Sequence, residues 1–88
     1  MSSQNGFTIP AAVAKAYDDY GFDKKIETAV SFRMLSDWCA ILFKDRGEFY
    51  AVDFVQSIDG EWEVSNDYVG PFDSVHDFQT ANLTVGLF

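Results

Sequence analysis

Between Gly47 and Phe88 this chain of 88 residues contains no lysine and no arginine. All six of its basic residues (Lys15, Lys24, Lys25, Arg33, Lys44, Arg46) lie earlier, beside six acids (Asp18, Asp19, Asp23, Glu27, Asp37, Asp45), so residues 1–46 sum to zero charge. The later half holds eight acids (Glu48, Asp53, Asp59, Glu61, Glu63, Asp67, Asp73, Asp77) and with them the whole net charge of −8. Phosphate contacts require basic side chains, so direct nucleic-acid binding is disfavoured. A field of this sign attracts basic surfaces instead.

Other scarcities narrow the class further. Cys39 is the only cysteine, which rules out an intrachain disulfide and reads as a small buried hydrophobe rather than a redox group. No run of about 18 apolar residues is present to span a bilayer, and Met1–Gly6 lacks the basic and apolar regions of a signal peptide. No membrane contact is expected, and the expected setting is a cytoplasm, native or host.

Patterns that carry chemistry are equally sparse. His76 is the only histidine, and Asp73 stands one helical turn before it, a spacing suited to a base and its orienter. Nothing supplies a nucleophile: there is no Gly-x-Ser-x-Gly elbow, no His or Cys cluster at metal spacing and no glycine-rich loop followed by lysine. Glu61 and Glu63 would stand about 6.8 Å apart on an outward strand face without a cleft. The expectation is therefore a protein that is not an enzyme, with no catalytic residue, no metal site and no cofactor.

What the chain does have is 48% apolar residues, too many for disorder, in a length suited to one domain (residues 1–88, with 1–7 a flexible lead). Its organising stretch is Glu48–Tyr68, two strands joined by a turn. In the second strand Trp62, Val64 and Tyr68 share one face and Glu61, Glu63, Ser65 and Asp67 the other; in the first, Tyr50, Val52 and Phe54 alternate with Phe49, Ala51, Asp53 and Val55. A two-residue Asp59-Gly60 turn would set Trp62 opposite Ser57, off the Phe54 face. A three-residue loop, Ile58-Asp59-Gly60 with Gly60 left-handed, pairs Phe54 with Val64 and Val52 with Asn66. That register gathers Asp53, Glu61, Glu63 and Asp67 on one outward acidic surface.

Around the hairpin, Thr8-Ile9-Pro10 opens a helix that runs to Tyr20 with an Ile9, Val13, Tyr17 and Tyr20 stripe and stops at Gly21. Lys24 and Lys25 are placed to offset Asp18 and Asp19 in its last turn; otherwise those acids extend the acidic surface. Ile26–Met34 alternates as a strand, and Trp38–Lys44, after a Leu35-Ser36-Asp37 turn, is a strand apolar on both sides. A three-residue Asp45-Arg46-Gly47 turn would set Lys44 opposite Glu48. Val69-Gly70-Pro71 ends the last strand, and Asp73 or Ser74 caps a helix that sends Phe72, Val75 and Phe78 to the core. This helix frays near Thr80–Asn82, and Leu83–Phe88 either continues it or docks as an extended tail. The fold class is α+β: a four-stranded antiparallel meander between an N-terminal and a C-terminal helix.

If both helices cover the Trp38, Tyr50, Phe54 and Trp62 face, then Ile41, Phe43 and Val55, with Phe49 and Ala51, form an apolar patch on the other. Either a helix or the tail crosses to cover it, or the patch serves self-association or a partner, with a homodimer as one outcome. The functional expectation is a non-catalytic acidic binding module. Its partner surface comprises Asp53, Asp59, Glu61, Glu63 and Asp67 with the neighbouring aromatics Phe49 and Tyr68. Small acidic domains of this surface type block the basic groove of a nucleic-acid-binding protein by imitating nucleic-acid charge, as phage-encoded inhibitors of restriction or CRISPR systems and toxin-neutralising immunity proteins do. Acids at alternate strand positions recur about every 6.8 Å, sparser than the roughly 3.4 Å per phosphate along a DNA strand. The alternative is a small structural protein that self-associates through Ile41, Phe43 and Val55.

Overall fold

The computed structural model describes residues 7–82. Helix α1 spans Ala11–Tyr20 and follows Pro10, whose carbonyl accepts the first helical N–H bonds from Val13 and Ala14 at 3.0 Å. Proline suits this place because an N–H there would find no partner within the helix. Val13 and Tyr17 are buried, Ile9 packs beside them, and Tyr20 at 49% exposure lies at the margin of the stripe. The expected flexible lead falls outside the described residues except for Phe7, which packs on Phe32 at a ring distance of 6.4 Å and belongs to the core margin.

Four antiparallel strands follow as a meander: β1 Ser31–Leu35, β2 Trp38–Asp45, β3 Glu48–Gln56 and β4 Trp62–Phe72, in that spatial order. Helix α2, Val75–Thr80, closes the described chain; Ser74 caps it by accepting the Asp77 N–H at 3.1 Å. This is the α+β architecture expected from the residue pattern. The expected strand from Ile26 starts later. Ile26–Thr28 instead forms a 3₁₀ turn in which both the N–H and the hydroxyl of Thr28 donate to the Lys25 carbonyl. A threonine hydroxyl of this kind competes with the strand ladder for backbone groups.

The β3–β4 loop matches expectation. Phe54 pairs with Val64, Ser57 and Glu61 close the loop, and Gly60 takes φ of 88°. The β2–β3 turn does not: Asp45 pairs with Glu48, leaving a two-residue turn in which Arg46 and Gly47 have φ of 54° and 84°. Such a turn matches strand twist better than a longer one. Lys44 consequently lies opposite Phe49, its ammonium 5.6 Å from the ring, and forms no pair with Glu48.

That single residue of slip exchanges the faces of β2 relative to β3. Cys39, Ile41 and Phe43 align with Phe54, Val52 and Tyr50, and this face packs under α1. Trp38, Ala40 and Leu42 align with Val55, Asp53 and Ala51, and that face packs under Phe78 of α2. The two helices therefore cover opposite faces of one sheet, which is why β2 is buried along both sides. Ile41 and Phe43 are 0% and 4% exposed beneath α1, while Val55 points to the α2 side. The expected self-association patch of Ile41, Phe43 and Val55 does not exist as a surface. Burying Phe54 on one face and Phe78 on the other contributes about 1.5–3 kcal/mol each before entropic costs.

Strand β4 departs most from simple alternation. Three register shifts against β3 insert extra residues: Ser65 between the Phe54–Val64 and Asp53–Asn66 pairs, one of Asp67 and Tyr68 opposite Val52, and one of Gly70 and Pro71 opposite Tyr50. Val69-Gly70-Pro71 thus lies inside the strand rather than ending it. Each shift reverses which residues face α1. At Gly70, φ is 130° and an added Cβ would come within 3.0 Å of the Phe49 carbonyl oxygen, so the last bulge requires glycine.

Candidate functional site

The bulges redistribute the expected acidic surface. Asp59 sits in the β3–β4 loop, Glu61 follows it, and Glu63 pairs with Val55 on the α2 face at the open end of the sheet. Asp67 turns the other way and accepts a long hydrogen bond, 3.4 Å, from the Tyr20 hydroxyl on α1. Asp53 leaves the surface altogether, at 2% exposure. The two expected aromatic neighbours are separated as well: Phe49 packs against the Trp38 and Leu42 cluster on the α2 face, whereas Tyr68 stacks on Tyr50 on the α1 face. One continuous face of Asp53, Glu61, Glu63 and Asp67 is therefore not formed.

The charge asymmetry nevertheless survives folding. Among the described residues the ion pairs are Lys15–Asp19 at 2.7 Å and Lys24–Asp45 at 3.2 Å, all within the first half of the chain. Asp19 raises the pKa of Lys15, with Glu61 adding a smaller push at longer range. Lys24 is thus spent on Asp45 rather than on the end of α1. Arg33 donates to the Phe78 and Ala81 carbonyls at 2.7 and 2.6 Å, tying β1 to the end of α2. Glu48, Asp59, Glu61, Glu63, Asp67, Asp73 and Asp77 are all exposed, and none is ion-paired among the described residues. β4 is an outer strand of the sheet, and its charges, bulges and Pro71 are features that disfavour edge-to-edge pairing.

The bulge opposite Val52 builds a second feature, a cleft of about 340 Å³ between the end of α1 and the far end of the sheet. Tyr50 and Tyr68, stacked at 4.2 Å and 15°, form one wall. Tyr17, packed on Phe22 at 4.6 Å and on Phe43 at 5.5 Å, forms the other. Asp23, Lys24, Asp45, Arg46 and Asp67 supply the charges. Asp45 accepts from the Tyr68 hydroxyl at 2.8 Å and from Lys24, and these two bonds hold its carboxyl below the usual carboxylate range. The same bond pushes the Tyr68 hydroxyl up to about 12. Burial pushes that of Tyr17 up to about 12, and this hydroxyl donates to the Lys24 carbonyl, fixing the segment after α1.

Asp53 occupies a third environment, under the first bulge. Asn66 donates to its Oδ2 at 3.0 Å, while Oδ1 and the buried Trp38 indole N–H have no hydrogen-bond partner. Burial raises the carboxyl pKa; Asn66 and the Trp38 N–H act in the opposite direction, although the indole does not reach normal hydrogen-bond geometry. Cys39 is buried on the other side of the sheet, and burial raises its thiol to about 12, with Asp53 adding to the shift.

His76 lies exposed on α2. Among the described residues no group of three or more His, Cys, Asp or Glu is placed to hold a metal, and no helix is long and apolar enough to cross a membrane. Comparison with protein-family models, with curated proteins and with solved structures finds no match to this chain.

Sequence reasoning named Asp67 and Tyr68 as surface residues but missed that they enter one cleft with Tyr17, Phe22 and Tyr50. Gly70-Pro71 inside a strand-like stretch signals the last bulge, opposite Tyr50, but no comparable residue marks the one opposite Val52 that brings Asp67 and Tyr68 together.

Proposed function

We propose that this chain is a non-catalytic acidic protein-binding domain that occupies a basic surface of a nucleic-acid-handling protein and blocks it, an inhibitor of the anti-restriction, anti-CRISPR or immunity-protein kind. The observation that carries this reading is the set of seven exposed second-half acids, none of them in an ion pair among the described residues. Unneutralised carboxylates in a molecule of net charge −8 favour encounter with basic surfaces and repel nucleic acid. The binding surface runs from Asp59, Glu61 and Glu63 at the loop end of β4 to Asp67 and Tyr68 farther along it, rather than over one flat sheet face.

The test is affinity capture from the source cell at low salt, followed by competition. A partner that is basic, is released as salt rises and is displaced by duplex DNA supports the proposal. The Glu61→Lys, Glu63→Lys, Asp67→Lys triple variant, folded by circular dichroism, should no longer capture it. Unchanged capture by that variant, or a tight salt-insensitive dimer that binds no basic partner in sedimentation, would overturn it.

A further inference from the structure

We propose that the cleft between α1 and the Tyr50–Tyr68 wall seats one arginine side chain of a basic partner, its guanidinium stacked on the tyrosine pair and facing Asp23 and Asp67. The source of the arginine rests on the acidic-binding reading above; the chemistry of the seat rests on the cleft itself.

Aromatic faces lining a cavity attract cations through the negative potential of their rings. A planar guanidinium stacks on such a face and presents forked donors to a carboxylate, which an ammonium does not. The charges around the cleft favour the same class. Asp45 and Lys24 neutralise one another, and Asp45 is further occupied by Tyr68. Asp23 has neither a hydrogen bond nor an ion pair among the described residues, and Asp67 has only the 3.4 Å bond from Tyr20. These two carboxylates are free to accept. Arg46, exposed at the mouth and also without an ion pair, is the single opposing charge. An anion such as phosphate would have Arg46 alone to hold it, because Lys24 is already paired, and would face Asp23 and Asp67. The volume of about 340 Å³ lies within the roughly 300–1,000 Å³ typical of ligand sites and leaves room for one arginine side chain.

The probe is N-acetyl-argininamide, titrated into the isotope-labelled full chain and followed by amide chemical shifts, with N-acetyl-lysinamide and inorganic phosphate in parallel at matched ionic strength. The expected result is saturable shifts confined to Phe22–Lys24, Asp45–Arg46, Tyr50 and Asp67–Tyr68, with arginine preferred to lysine by about fivefold, the scale of one cation–π contact. Asp67→Asn should weaken binding, Arg46→Gln should strengthen it, and Glu61→Gln with Glu63→Gln should leave it unchanged. Shifts spread evenly over the exposed acids, equal losses in the Glu61 and Glu63 variants, or phosphate shifting the cleft residues more than arginine would each overturn the seat. The two proposals fail separately. A basic partner captured by a protein whose cleft ignores argininamide removes the seat alone; argininamide bound in the cleft of a protein that captures no basic partner removes the inhibitor reading and keeps the seat's chemistry.

Discussion

Replacing Asp53 by asparagine should stabilise this domain at neutral pH, and the gain should shrink in acid. The wild-type carboxylate is 2% exposed, with one oxygen bonded to Asn66 and the other unsatisfied beside an equally unsatisfied Trp38 N–H. A buried polar group without a partner costs about 1–3 kcal/mol, and more when charged. An asparagine of the same shape carries no charge to desolvate and can keep the contact across the strands: its NH₂ donates to the Asn66 carboxamide oxygen once that amide turns over. Relief of about 1–3 kcal/mol follows, which in a domain of this size raises the melting temperature by about 4–8 °C per kcal/mol.

The pH dependence follows from the direction of the shift. Burial raises the folded-state pKa of Asp53 above its unfolded value. The folded state therefore binds the proton more tightly. The resulting stabilisation is complete below the unfolded pKa and is lost as pH rises through the folded one. Wild type is handicapped at pH 7 and relieved in acid, whereas the asparagine variant does not titrate at this position. Urea unfolding of both proteins across the acid to neutral range gives the difference directly. A variant less stable than wild type at pH 7, or a gap that does not change with pH, would refute the account of Asp53 as an uncompensated buried carboxylate.

Two further substitutions probe the cleft and the last bulge. Tyr68→Phe keeps the ring stacked on Tyr50 but removes the first cause of the depressed Asp45 pKa, so that pKa should move up towards the ordinary carboxylate value in a carbon-detected titration. An unmoved Asp45 would mean that Lys24 and the Arg46 charge set it without the tyrosine. Since a depressed carboxylate stabilises above its unfolded pKa and loses that contribution as pH falls through the folded one, the variant should also show a weaker acid-dependent loss of stability. Gly70→Ala forces a Cβ to 3.0 Å from the Phe49 oxygen and 3.2 Å from the Phe72 nitrogen at φ of 130°. It should destabilise by about 1–3 kcal/mol in denaturant unfolding; a neutral result would show that the bulge relaxes freely.

The elements themselves were legible because each had a local cause. Pro10 and Gly21 bracket α1, Ser74 caps α2, and the continuous apolar run of β2 marks a strand apolar on both sides. The loop after β3 was readable from register, since only a three-residue connection aligned Phe54 with Val64. The same choice failed at Arg46-Gly47. There a loop ending in Gly47, like the one ending in Gly60, points to three residues, but Arg46 takes positive φ as well and the two close a turn that matches strand twist. That error of one residue put Trp38 on the Phe54 face and conjured an apolar patch out of Ile41 and Phe43, which α1 in fact buries.

The bulges were beyond the reach of alternation, and they build the cleft. Period two predicts that Asp67 and Tyr68 point apart, yet both stand opposite Val52 on the α1 side. Without the inserted residues, β4 would present its acids as a regular row and Tyr68 would have no company of carboxylates. With them, the strand gives up the row, buries Asp53 against Asn66, and brings Asp67 and Tyr68 to Asp45, Tyr17 and Tyr50 around a single cavity. A surface made only of spaced charges attracts any cation without choosing among them. Carboxylates set beside stacked rings select by the shape of the cation as well, so under the proposed arginine seat the irregularity of β4 would make this surface selective rather than merely acidic.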